Sequence, residues 1–151
     1  MKITKAVVSL ILILTYFFLP KYGFYCWEIS PNNILYPFSH ANIWHLAANI
    51  VCLWMIPCEL HLVVSFLLAV LCSILPCFVS EATMGFSGVL FAIVGISWGK
   101  ANRFKDMIWK NKWFLIVPVF IPHINAFIHI YCMISGYLVG RYVKLGKSNI
   151  L

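Results

Sequence analysis

Gly85-Phe86-Ser87-Gly88 runs without a break into Val89-Leu90-Phe91-Ala92-Ile93-Val94-Gly95-Ile96-Ser97-Trp98-Gly99. A serine held between glycines at the mouth of an apolar helix can offer its hydroxyl and the nearby backbone N–H groups to a substrate, because glycine lets a backbone approach closely. A Gly-x-Ser-Gly arises by chance in roughly a few per cent of chains this long, so its meaning depends on what surrounds it.

The surroundings are those of a membrane. The chain has 151 residues, 63% of them hydrophobic and only 10% charged, with a mean hydropathy of +0.94. A soluble domain of this size cannot hide so much apolar surface, so the sequence reads as one all-α membrane domain over residues 1–151 with the bilayer as its solvent. The net charge of +7 comes from short basic clusters between apolar runs, a pattern of topology rather than of nucleic-acid binding. Most of the six cysteines fall inside apolar runs as small hydrophobes. Cys26 alone sits in an outside loop, with no obvious disulfide partner, and no Cys/His spacing matches a zinc site.

In order along the chain, Met1–Lys5 and the apolar run Ala6–Leu19 resemble a signal peptide, but Leu19-Pro20-Lys21-Tyr22-Gly23 is a poor cleavage site and further apolar runs follow. The run is therefore read as a first transmembrane helix. Residues 20–41, with Pro20, Gly23, Pro31, Asn32, Asn33 and Pro37, read as a loop. A second helix is expected at 42–56, a tight connection at Pro57-Cys58-Glu59, and a third helix at 60–79. A fourth follows at 86–99, a polar stretch at 100–112, a fifth helix at 113–121 with a start as early as Met107, and a sixth at 126–143. Pro118 is expected to weaken or kink the fifth helix.

Six alternating spans with both termini cytoplasmic place Lys2, Lys5, Lys100, Arg103, Lys105, Lys110, Lys112, Arg141, Lys144 and Lys147 inside. Only Lys21 of the eleven basic residues then lies outside, as the positive-inside rule requires. The spans are short: the fourth rises ~21 Å at 1.5 Å per residue, against a hydrocarbon core of about 30 Å. Either the helix starts lie below the outer surface or the bilayer thins around them, and both arrangements create a recessed cavity that water can reach.

Helices two, four and six run from outside to inside, so their first turns share a depth. His45 and Asn49, Ser87, and His129 all fall there, where polar groups are costly unless paired or functional. Each has a structural alternative, since an intramembrane Asn often bonds between helices and a lone His is often a core residue. On the sixth helix, Gly136 and Gly140 lie within about 20° of the line through His129. They form a small-residue face that can dock on Gly88, Ala92, Gly95 and Gly99 of the fourth. Docking would set His129 beside Ser87 as its general base. Glu59 and Asp106 fall on the cytoplasmic side and Glu28 and Glu81 in outside loops, so a dyad without a carboxylate is expected, with Phe91 packing on the imidazole. His45 and Asn49, four apart on one helix face, can donate to an oxyanion together with the backbone around Gly85 and Ser87. His40 is expected to cap or brace the loop entering helix two, and His123 to lie in the turn before helix six.

These blocks together resemble the rhomboid intramembrane serine proteases. His40-Ala41-Asn42-Ile43-Trp44-His45-Leu46-Ala47-Ala48-Asn49 is similar to the family's second-helix His-x4-His-x3-Asn pattern. Gly85-Phe86-Ser87-Gly88 with its apolar tail is similar to the nucleophile motif, and His129 with Gly136 to the sixth-helix histidine and its spaced glycines. The likeness spans residues 36–143. It implies a six-helix bundle that cuts transmembrane segments near their outer ends without metal, ATP or any other cofactor, with Ser87 as nucleophile, His129 as base, and His45 and Asn49 in the oxyanion hole. Two departures stand out. Tyr36-Pro37 occupies the place of a Trp-Arg pair common in the first outside loop, and Cys132 stands three residues after the histidine where glycine is common, which predicts looser packing below the dyad.

The resulting expectation is an integral, multi-pass protein of the cell membrane that cleaves transmembrane protein substrates within the lipid bilayer and does not bind nucleic acid. Substrate helices with small or helix-breaking residues near the outer surface are favoured. The alternative is a catalytically inactive rhomboid-like chaperone or retention factor that binds transmembrane helices without cutting them; such relatives generally lack the serine or the histidine, and this chain has both. A channel or transporter finds no support, because the helices carry no acidic residue and no inverted repeat.

Overall fold

Helical spacing in this chain leaves large apolar residues exposed on outward faces, while the inward faces mix apolar residues with small and polar ones. In the computed structural model, which describes residues 2–56, 61–77, 79–120 and 124–143, α1 (Lys2–Phe18) exposes Ile3, Val7, Leu10, Leu14 and Phe17 and buries Lys5, Ser9 and Leu12. Lys5 has a clear task. Its amine donates to the carbonyls of Trp54 (3.2 Å) and Ile56 (2.5 Å), at the end of α3 (Ile43–Met55), where a cation meets the negative pole of the helix. The Trp54 indole N–H donates in turn to Ser9 Oγ at 3.1 Å. Lys5→Met, which fills the same space without the donor, is expected to destabilise the α1–α3 pair by about 1–3 kcal/mol. Thermal unfolding in detergent checks this.

Among the described residues the fold is all-α: seven α-helices and one 3-10 turn, with a single isolated bridge between Phe24 and Thr83. The expected loop 20–41 is more structured than its prolines and asparagines suggest. It holds α2 (Asn32–Leu35) and the 3-10 turn Tyr36–Phe38, pinned inward by the buried Asn33, which donates to Ser73 Oγ at 2.9 Å. The third apolar run stops early. α4 spans Leu62–Cys72, and the chain turns at Ser73, whose Oγ donates to the Val70 carbonyl at 2.7 Å. Pro76 follows, and residues 73–77 and 79 lie outside the helix. This brings Cys77 into the loop, where it forms a disulfide with Cys26 (Cα–Cα 5.6 Å). The reading of Cys26 as partnerless was wrong because it placed Cys77 inside a helix.

Two closely packed helices frame the rest. α5 (Ser87–Lys100) lies at the centre with eight buried residues, and α7 (Ala126–Tyr142) packs along it. In the chain they are joined through α6 (Phe104–Phe120), which starts before even the earliest expected residue, Met107, and takes in most of the polar stretch. Asp106 sits in its first turn, at the positive pole of the helix, and pairs with Arg103 at 2.5 Å, an arrangement that favours helix initiation. The backbone stays helical through Pro118. The connection Pro57-Cys58-Glu59, His123 with the start of its turn, and Lys144 and Lys147 lie outside the described residues.

The helices are short, with 17 residues in α1, 13 in α3, 11 in α4, 14 in α5 and 17 each in α6 and α7. Among the described residues no helix is long and apolar enough to cross a membrane.

Candidate active site

α5 and α7 meet through backbone. A Cβ added at Gly95 would strike the Met133 carbonyl, one at Gly136 the Ala92 carbonyl, and one at Gly140 the Ile96 carbonyl. The two small-residue faces therefore interlock at backbone distance, and the contact fixes the relative height of the first turns of both helices. Ser87 opens α5, and His129 stands in the first turn of α7. His129 Nε2 lies 2.9 Å from Ser87 Oγ. The ring of Phe91, one turn along from Ser87, stacks on the imidazole with centroids 4.4 Å apart and planes 15° from parallel.

His129 is buried, and its Nδ1 has no hydrogen-bond partner among the described residues. No carboxylate reaches it there. The tautomer that accepts the serine proton at Nε2 carries its own hydrogen on Nδ1, so Phe91, rather than an acid, holds the ring in place.

The approach to Ser87 is shaped by Gly85, at φ +122°. An added Cβ would be strained in that backbone conformation and would stand 2.6 Å from His45 Cε1. The Gly85 N–H donates to the Tyr36 carbonyl at 2.9 Å, so the first loop directly holds the turn into α5. The first-turn N–H groups of α5 have no intrahelical acceptors, which suits them to a developing negative charge; Leu90 is the first to donate back, to the Phe86 carbonyl at 3.2 Å.

The structure thus brings Ser87, His129 and Phe91 together and places His45 against Gly85. Asn49 is buried on the same face of α3, but its Nδ2 donates to the His45 carbonyl at 2.9 Å, back along its own helix. One of its two amide hydrogens is committed there.

His40 braces and does not cap. The cap of α3 is Asn42, whose side chain accepts the His45 N–H at 2.9 Å. His40 is 1% exposed with neither ring nitrogen hydrogen-bonded, edge-on to His45 at 5.3 Å. Burial, and secondarily the neighbouring His45, push its pKa down to about 4, offset only in part by the Phe38 backbone. His40 therefore stays neutral at physiological pH.

Cys132 does not loosen the packing below the pair. It is fully buried, and a Cβ on Gly88 would meet its sulfur at 3.5 Å and the Tyr36 hydroxyl at 2.8 Å. Sequence reasoning also passed over Asn125, the cap of α7, which accepts from the N–H groups of Phe127 (3.1 Å) and Ile128 (3.3 Å). An asparagine directly before an apolar helix is the signal that would have found it.

Comparison with known families matches residues 26–145 to the Rhomboid domain. No curated protein and no solved structure matches the chain.

Proposed function

This chain belongs to the rhomboid family, and on that premise we propose that it is an intramembrane serine endopeptidase working through a Ser87–His129 dyad. Rhomboid proteins are integral membrane proteins and include both proteases and inactive homologues. The observation that carries the catalytic reading is the 2.9 Å approach of His129 Nε2 to Ser87 Oγ at the start of α5. The apolar outward faces support a bilayer as solvent. In this reading α1 and α3 to α7 are six short spans with both ends cytoplasmic, and the bilayer thins around them.

In the proposed reaction His129 takes the Ser87 proton as Oγ attacks a substrate carbonyl. The oxyanion is met by first-turn N–H groups of α5, the His45 ring and the second amide hydrogen of Asn49. Collapse passes the proton from Nε2 to the leaving amine and leaves an acyl-enzyme. A water that gives its proton to His129 then attacks the ester carbonyl and frees Ser87. No step calls on a metal or other cofactor. The substrates are transmembrane segments that unwind readily near the outer surface.

Phe91→Ala removes the stacked ring without touching either reacting atom. It is expected to lower kcat roughly 10–100-fold, as misorientation of a catalytic group does, with KM little changed, while Phe91→Trp retains most of the rate. The function itself is tested by cleavage of a single-pass reporter helix in proteoliposomes. Cleavage at a defined bond supports the protease. Helix binding without cleavage across varied reporters would move the reading to the non-catalytic chaperone.

A further inference from the structure

The Cys26–Cys77 disulfide ties the first loop to the segment between α4 and α5, and its inner sulfur touches the cap of the helix that bears His129. Asn125 Nδ2 donates to Cys77 Sγ at 3.3 Å and to Thr83 Oγ1 at 2.9 Å. With both amide hydrogens placed, the carboxamide oxygen is aimed at the N–H groups of Phe127 and Ile128. Thr83 is held in turn by paired backbone bonds with Phe24 (3.0 and 2.8 Å), two residues before Cys26 and two before Gly85. The sulfur pair, the bridge and the cap thus form one connected layer over the first turns of α5 and α7.

We propose that this disulfide is a redox modification site that governs turnover: a dithiol that opens it loosens the Asn125 cap and withdraws His129 from Ser87. The inference rests on the proteolytic reading above. Cys26 is half-buried between the exposed Tyr25 and Trp27, whereas Cys77 is buried, so the reductant's thiolate attacks Cys26 Sγ. The S–S bond breaks, and Cys77 leaves as a thiolate and takes a proton. The reductant's second thiol then displaces Cys26 from the mixed disulfide. Two electrons and two protons pass to the protein, leaving two thiols, and the dithiol becomes a disulfide. Cys77 is then no longer anchored to the first loop, the Phe24–Thr83 bridge loses its tether, and Asn125 keeps only Thr83 to orient its amide.

The test uses the full chain in proteoliposomes, oxidised or treated with dithiothreitol, with thiol alkylation counting opened bonds. Reduction is expected to lower kcat roughly fivefold or more, the scale of losing one helix cap, with KM within about twofold. Amide exchange at Phe127 and Ile128 should quicken. The Cys26→Ser/Cys77→Ser and Asn125→Ala variants should be slow and insensitive to dithiothreitol. Should the double variant fail to fold, reduction of the folded wild type opens the same bond. Equal rates before and after complete alkylation of both thiols would overturn the proposal. If the oxidised protein cleaves nothing, the protease reading fails instead, and the exchange at Phe127 and Ile128 still decides whether the bond governs the cap.

Discussion

Ser87→Ala is expected to reduce reporter cleavage by about 10⁴-fold or more, to the level left by binding and oxyanion contacts alone. His129→Ala should fall to the same level, and the double variant should fall no further, because two groups that act as one unit do not contribute additively. Stability separates this result from misfolding. Losing the Ser87 Oγ bond to His129 costs only about 0.5–1.5 kcal/mol, so Ser87→Ala should unfold near the wild-type temperature. A fluorophosphonate probe gives a second readout, labelling the wild type and not Ser87→Ala. Undiminished cleavage by Ser87→Ala would remove the dyad from the mechanism.

The second large effect lies some distance from the chemistry. Gly136→Leu places a branched side chain where even a Cβ would collide with the Ala92 carbonyl. Backbone is not the flexible end of a side chain, so the helices must part. Overpacking of this kind costs about 1–3 kcal/mol and occasionally more, and the separation also breaks the reach of His129 to Ser87. Both the unfolding midpoint and cleavage should drop, and Gly136→Ala should show the same trend more mildly. Ile134→Ala, on an outward-facing position of the same helix, should stay within about 0.5 kcal/mol of the wild type. Normal cleavage by Gly136→Leu would mean that close docking of α5 and α7 is not what sets the pair.

The parts of this site that were legible in the sequence are those governed by helical periodicity. His129, Gly136 and Gly140 share a line whatever surrounds them, and the glycine faces of α5 and α7 offer few other ways to dock. The approach of His129 to Ser87 and the stacking of Phe91 on the imidazole followed from that register. What was misread depended on where helices stop. The run after Leu62 is apolar past Cys72, and hydropathy carries no sign of the turn at Ser73; without that turn Cys77 stays inside a helix and Cys26 has no partner. The start of the fifth helix was set at Trp113, or at Met107 at the earliest, because charge was counted along the polar residues 100–112 and the pairing of Arg103 with Asp106 was not. Asn49 was placed on the correct face, but the direction of its amide depends on a competing carbonyl one turn back, which residue spacing does not reveal.

The bond from the Gly85 N–H to the Tyr36 carbonyl bears on how this protein can be handled at the bench. The first loop, rich in Pro and Asn, is where an engineer would place an epitope, a fluorophore or a protease site to map topology. Through Tyr36, Phe24 and Cys26 the same loop forms one wall of the turn into α5. An insertion there would disturb the Ser87–His129 pair it was meant to leave untouched.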